Sequence, residues 1–167
     1  GDVYKRQRIN FAVKLVDSSY TYTVESITIT GAKGGTATYT FGGTEGKGGN
    51  WNITGSAPAS GYSYTFDNTV TAKDGIYDYT QNDNSLMLYP QSLTDAKIIV
   101  KYKTEKDNAT FFNDSKEVSL TGEWTNGQSI RYILTLPVGA EEMSVNTTYD
   151  ENWDATDNEQ TPKNPAS

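Results

Sequence analysis

Apolar and polar residues alternate along many short stretches of the chain, and a period of two is typical of a strand with one buried face. The clearest alternations are Ile9-Phe11-Val13-Leu15, Ile98-Val100-Tyr102 and Ile130-Tyr132-Leu134-Leu136. Near Glu25-Ser26 the alternation changes phase, which predicts a β-bulge or a change of strand partner. No helical period and no internal repeat stand out. The pattern therefore predicts an all-β fold, an antiparallel β-sandwich of about seven to ten strands.

Turn signals separate these stretches. Asn126-Gly127 lies between two alternating runs, and both residue types tolerate positive φ, so we predict a type I′ hairpin across Lys116–Val138. Pro90 lacks a backbone donor, which places Leu86–Leu93 at an edge, a strand end or a bulge. The polar stretch Thr104–Ser115 is interpreted as a surface excursion.

Charge and composition narrow the class of function. The 167 residues suffice for one domain and carry a formal net charge of −7, which repels phosphate backbones and argues against nucleic-acid binding. No apolar run is long enough for a transmembrane helix. The chain has no cysteine and no histidine, which excludes disulfides and thiolate zinc sites and removes the usual general base. We expect no cofactor, no bound metal and no enzymatic activity.

The ends differ in character from the middle. Asp2–Gln7 match what a transposon end used in sequencing libraries encodes in one reading frame, so we interpret residues 1–7 as a non-native or unstructured segment. On that interpretation the true N-terminus is missing. Residues 154–167 are polar, acidic and proline-bearing, which predicts a disordered tail. The β-sandwich domain is then expected at residues 8–153.

Three segments in order resemble a known family. These are Arg8–Leu15 followed by Thr23–Ala32, then SLMLYPQSLTDAKIIVKY at Ser85–Tyr102, then VSLTGEWTNGQSIRYILTL at Val118–Leu136, with Trp153 as a closing tryptophan. Their order and spacing resemble the C-terminal portion of the fimbrillin-like family, the type V pilins and related Mfa-like adhesins of Bacteroidales.

The resemblance implies a transthyretin-like β-sandwich, export as a lipoprotein, and a cell-surface location at the outer membrane through an N-terminal anchor. It implies other pilin or fimbrillin subunits as partners, joined by β-strand donation, and host or bacterial surface molecules as adhesive ligands. The residues after Trp153 lack apolar alternation and would make a poor donor strand. The candidate polymerisation strand is Met143, Val145 and Thr147, which could donate only if it is released from its own sandwich. A tip or accessory adhesin, or a relative that does not polymerise, therefore stays open.

Two other classes of function stay open. A carbohydrate-binding module would need exposed aromatic rings on one face, and the candidates are Trp51, Tyr62, Tyr77 and Tyr79. A glycoside hydrolase would need two facing carboxylates, for which loop residues Asp74, Asp78 and Asp83 are available. Asp150-x-Asn152-x-Asp154 resembles the start of a calcium loop, but Ala155 stands where glycine is needed, so a solvated tail is the preferred interpretation.

Overall fold

A computed structural model describes residues 6–34, 37–40, 50–53, 55–59, 61–71, 76–80, 85–125 and 127–150. Within these ranges the chain forms strands and turns and contains no helix that could cross a membrane. The strands are β1 (Gln7–Leu15), β2 (Thr21–Thr30), β3 (Ala37–Thr40), β4 (Asn50–Ile53), β5 (Tyr62–Thr71), β6 (Ile76–Asp78), β7 (Leu86–Leu88), β8 (Lys97–Lys106), β9 (Ala109–Ser119), β10 (Ser129–Leu136) and β11 (Ser144–Asp150).

Two sheets pack face to face, and this confirms the predicted β-sandwich. Sheet A has the order β11-β10-β1-β6, with β7 also paired to β1, and sheet B has the order β5-β2-β8-β9. Strands β3 and β4 form a separate antiparallel pair. The eleven strands among the described residues slightly exceed the predicted number, and one pair, β1 with β10, is parallel where the prediction had antiparallel pairing throughout.

The alternation seen in the sequence builds the core between the sheets. Ile9, Phe11 and Val13 of β1 are fully buried. They face the apolar side chains of β2, β5 and β8; for example, the rings of Phe11 and Tyr64 meet edge to face with centroids 5.9 Å apart. The phase change in β2 is a register shift between Val24 and Ser26 against both neighbouring strands, which confirms the predicted bulge.

The predicted hairpin at Asn126-Gly127 is wrong. Strand β9 pairs with β8 in sheet B, while β10 lies in sheet A, so the chain crosses between sheets after Ser119. Backbone hydrogen bonds hold the crossing segment, residues 120–125, to the chain around Gln91: the Trp124 amide donates to the Gln91 carbonyl over 2.8 Å, and the Gln91 amide to the Trp124 carbonyl over 3.2 Å. Asn126 itself lies outside the described residues.

The positive-φ hairpin lies instead in the stretch that we interpreted as a surface excursion. Asp107 and Asn108 have φ of 52° and 63°, and this two-residue turn joins β8 to β9. Positive φ at both central residues is the geometry of a type I′ turn. The polar stretch is therefore a long hairpin at the edge of sheet B.

The described fold includes the two residues just before the expected domain start at residue 8. Strand β1 begins at Gln7, and both Arg6 and Gln7 are buried. The Gln7 side chain donates to the Thr125 carbonyl and accepts from the Gln128 amide over 3.1 Å. These two residues belong to the described fold, while the origin of residues 2–7 stays a prediction. The proposed tail, residues 154–167, lies outside the described residues.

Candidate functional site: the strand edges

A sandwich presents unpaired backbone groups only along the outer strands of its sheets, so the edges are the places where another strand can add. Among the described strands, sheet A ends at β11 on one side and at β6 and β7 on the other, and sheet B ends at β5 and β9. Three of these edges can be compared in detail from their side chains.

The β6 and β7 edge is short and interrupted. Each strand has three residues, and Pro90 follows β7 closely. Between the strands, the amides of Tyr79 and Thr80 both donate hydrogen bonds to the Phe11 carbonyl, with nitrogen-to-oxygen distances of 2.9 and 3.3 Å. Short strands and prolines are standard protection against edge pairing, because few consecutive backbone groups point outward. This edge is poorly suited to accept a strand.

The β9 edge carries a charge on its inner face. Lys116 pairs with Val100, whose side chain is in the core, so the two residues share a face of sheet B. The Lys116 ammonium lies 4.8 Å from the centroid of the Phe112 ring and donates to the Glu141 carbonyl. A charge that points toward the core at an edge disfavours a further strand, because added pairing would bury the ammonium group more deeply. This edge is protected by its sequence.

Strand β11 differs from both of these edges. It pairs antiparallel with β10 over seven consecutive residues, from Ser129↔Asp150 to Thr135↔Ser144, without a bulge. Val145, Thr147 and Tyr149 lie opposite Leu134, Tyr132 and Ile130 respectively, and those three β10 residues are all buried. The inner face of β11 is nevertheless only partly covered: Val145 is half-buried and Thr147 is exposed, while Tyr149 is 58% exposed.

The candidate polymerisation strand Met143, Val145 and Thr147 therefore coincides with an edge strand. Met143 is buried just before β11 begins, and the other two share the inner face with Tyr149. Sequence reasoning omitted Tyr149, although it continues the same alternation two residues beyond Thr147. Extending the period-two pattern by one step would have found it.

A cleft of about 180 Å³ opens beside β11. The crossing segment forms one wall and Val145, Thr147 and Tyr149 form the other. Trp124 and Tyr132 also line the cleft, and the Trp124 indole N–H donates to the Tyr132 hydroxyl over 2.8 Å. Burial raises the pKa of Tyr132 to about 12, so this hydroxyl is neutral at physiological pH.

The four candidate sugar-stacking aromatics do not share one exposed face in the described structure. Tyr62 is buried in the core, so its ring cannot stack on a ligand. Tyr79 is half-buried against the core, and Tyr77 is 36% exposed. The side chain of Trp51 lies outside the described residues. Sugar stacking stays a prediction for Trp51, Tyr77 and Tyr79.

Of the three candidate carboxylates, Asp78 alone lies within the described residues. Asp78 forms an ion pair with Arg131, with a nitrogen-to-oxygen distance of 2.8 Å. Asp74 and Asp83 lie outside the described residues, as do Asn152 and Asp154 of the calcium-like motif. Among the residues that the structure describes, no three acidic side chains come together in a way that could hold a metal ion.

Comparison with known proteins identifies the fold. No model of a known protein family matches the chain, and no curated protein matches it. A crystal structure of a fimbrial protein from Bacteroides vulgatus ATCC 8482 is similar, with a TM-score of 0.56 and 16% sequence identity. The similarity covers 87% of this chain and 54% of the fimbrial protein. The chain therefore has the fold of part of a fimbrial protein and spans about half of that protein's length.

Proposed function

We propose that the chain is a non-enzymatic structural subunit or adhesin of a cell-surface fimbria, and that it joins neighbouring subunits by donating β11. The partly covered inner face of β11 carries the proposal. The fold similarity of the chain to a fimbrial protein supports this class of function. A surface location through an N-terminal lipid anchor, in a member of Bacteroidales, belongs to the same proposal.

The energetics of β11 suit a strand that can be exchanged. Release of β11 would expose Ile130, Tyr132 and Leu134 along β10, which together form an apolar groove with an unpaired backbone edge. Such a groove accepts an extended segment with apolar residues at alternate positions. Since Thr147 and Tyr149 are exposed in the chain's own sandwich, β11 loses little side-chain burial there when it leaves.

A reversible covalent lock tests this proposal. The chain has no cysteine, so Thr135→Cys with Ser144→Cys introduces one disulfide between directly paired residues of β10 and β11. Paired residues have Cα atoms about 4.5–5.5 Å apart, within the range that a disulfide spans. We expect the reduced variant to form heat-stable complexes, seen by analytical ultracentrifugation and on unboiled gels, with itself or with a peptide of residues 141–150. The oxidised variant should stay monomeric.

A second lock serves as the control. Lys103→Cys with Asn113→Cys joins paired residues of β8 and β9, an edge that the proposal does not use. Oxidation of this variant should leave complex formation unchanged. Complexes that form equally well with β11 locked would contradict donation of β11, and a wild-type chain that stays monomeric with both partners would contradict strand pairing itself.

A further inference from the structure

A second cleft, of about 240 Å³, lies on sheet A among polar side chains. Thr148, Arg131 and Asn10 stand side by side on β11, β10 and β1, because Arg131 is in register with both of the others. Asn10 and Arg131 alternate with the core residues Ile9, Phe11 and Ile130, so both side chains lie on the sheet face away from the core. Thr148 shares that face because it is paired with Arg131. Strand register, and not sequence proximity, assembles this row.

Asn10 is held in a fixed orientation by its neighbours. Its Oδ1 accepts hydrogen bonds from the Thr80 hydroxyl over 3.0 Å and from the Ser85 hydroxyl over 2.8 Å. Thr80 Oγ1 in turn accepts from the Phe11 amide over 2.9 Å, and Ser85 Oγ accepts from Arg8 Nε over 3.2 Å. Because these contacts occupy the amide oxygen, the Asn10 Nδ2 group is the part of the side chain left to donate to a ligand.

The ion pair beside Asn10 also leaves hydrogen-bonding atoms that its own contacts do not use. Arg131 Nε and Nη2 both lie 2.8 Å from Asp78 Oδ1, so neither contact uses Asp78 Oδ2 or Arg131 Nη1. An acceptor and a donor are thereby fixed next to one another, and both line the cleft. The two charges cancel, so the site has no net preference for an anion or a cation. Such paired donors and acceptors match a neutral ligand with several hydroxyl groups.

The size of the cleft restricts the ligand further. A cavity of about 150 Å³ holds one benzene ring, and pockets for drug-sized ligands begin at about 300 Å³. A cleft of about 240 Å³ therefore has room for one six-membered sugar ring. We propose that the Asn10–Asp78–Arg131–Thr148 cleft binds one residue of a neutral saccharide. This site is distinct from the aromatic set expected from the sequence.

Titration with neutral monosaccharides followed by NMR tests the site. The probes are glucose, galactose, mannose, N-acetylglucosamine and fucose, each up to about 50 mM, which detects dissociation constants in the millimolar range. We expect at least one probe to shift the Arg131 Nε–H signal together with the backbone amides of Arg131 and Thr148. Glucuronate is the charged comparison, and tighter binding of glucuronate than of every neutral sugar would contradict the proposed ligand class.

Variants show whether the Asp78–Arg131 ion pair and Thr148 bind a sugar or only stabilise the sheet. Asp78→Asn should weaken binding about tenfold, since it removes a charged acceptor, and Thr148→Val about fivefold. The control is Glu25→Gln, which removes another outer-face ion pair, that with Lys101 at 3.2 Å, and should not change binding. No shift with any sugar, or shifts that survive both Asp78→Asn and Thr148→Val in folded protein, would overturn the proposal. Thr148 is exposed, so its variant tests the site even where Asp78→Asn disturbs β6.

Discussion

Replacement of Tyr102 by phenylalanine tests how the two sheets are held together. The chain leaves sheet A after Leu136, and three consecutive carbonyls there accept hydrogen bonds from hydroxyls of sheet B. The pairs are Tyr22 to Leu136 at 3.0 Å, Tyr102 to Pro137 at 2.7 Å and Thr104 to Val138 at 2.6 Å. Buried carbonyls beyond the end of a strand need another donor, and these hydroxyls supply one to Pro137 and Val138. The Leu136 carbonyl also accepts from the Val16 amide over 3.1 Å.

The expected loss follows from the burial of this contact. Tyr102 is fully buried and its hydroxyl donates to the Pro137 carbonyl, so Tyr102→Phe removes the hydrogen bond and leaves a buried acceptor without that donor. An unsatisfied buried group costs about 1–3 kcal/mol, and we expect a loss of about 2 kcal/mol in the free energy of unfolding. For a chain of this size the same loss lowers Tm by about 4–8 °C.

Urea denaturation followed by tryptophan fluorescence measures the effect. We expect the midpoint to fall while the slope m stays unchanged, because the surface exposed on unfolding is the same. The matched control is Tyr149→Phe, which removes a hydroxyl from a side chain that is 58% exposed and should change stability by less than about 0.5 kcal/mol. If Tyr102→Phe is no more destabilising than this control, the hydroxyl-to-carbonyl contacts do not hold the sheets together.

Three further predictions concern alkaline stability, a turn and the β9 edge. Burial raises the pKa of Tyr132 to about 12, above the value of about 10 in the unfolded chain, so its contribution is intact below pH 10. Between pH 10 and pH 12 the contribution of Tyr132 to the free energy of unfolding should fall by up to about 1.4 kcal/mol per pH unit. The fall is measured through the urea midpoint, and a midpoint independent of pH in this range would contradict the burial of Tyr132. Gly31→Ala should lower the free energy of unfolding by at least about 2 kcal/mol, since φ is +78° and a Cβ would lie 2.1 Å from the Asp95 carbonyl oxygen. The control, Gly139→Ala, should be nearly neutral, because a Cβ there would meet no atom closer than 4.0 Å. Equal urea midpoints for the two variants would refute this prediction. Lys116→Val should promote association through β9, which ultracentrifugation detects. The control replaces an exposed, outward-facing lysine, Lys97→Val, and should leave the protein monomeric. Monomers in both cases would show that Lys116 does not protect the edge.

The sequence was most informative about which residues enter the core. In β1, β8 and β10 the residues predicted to share the inner face are buried, with Leu15 of β1 only partly so. The bulge in β2 was also visible, because a slip of one residue exchanges the two faces of a strand and interrupts the alternation. Both features depend on local residue order, which is why sequence alone could predict them.

Strand partners could not be predicted in the same way. Asn126-Gly127 carries a strong turn signal, yet β9 and β10 belong to different sheets, because pairing depends on distant contacts such as those between Gln91 and Trp124. The real hairpin at Asp107-Asn108 was overlooked because β9 is exposed along most of its length and lacks apolar alternation. The parallel pairing of β1 with β10 joins segments more than 100 residues apart.

The same limit applies to the candidate sites. The alternation of Met143, Val145 and Thr147 predicted a strand, but only sheet order showed that it is an edge. The polar cleft depends on the register that sets Asn10 beside Arg131, and no motif in the sequence signals this pairing. Residues that form a site across parallel or distant strands become visible only when the strand partners are known.

Hydrogen exchange on assembled and free protein tests the central claim, that subunits join through β11. In complexes formed by the wild-type chain, we expect the amides of β11 (Ser144–Asp150) and of β10 (Ser129–Leu136) to gain protection together, because the donated strand and its groove pair along their full length. Amides of β9 (Ala109–Ser119) should exchange at the same rate in both states. Protection gained along β9, with β10 and β11 unchanged, would contradict this account.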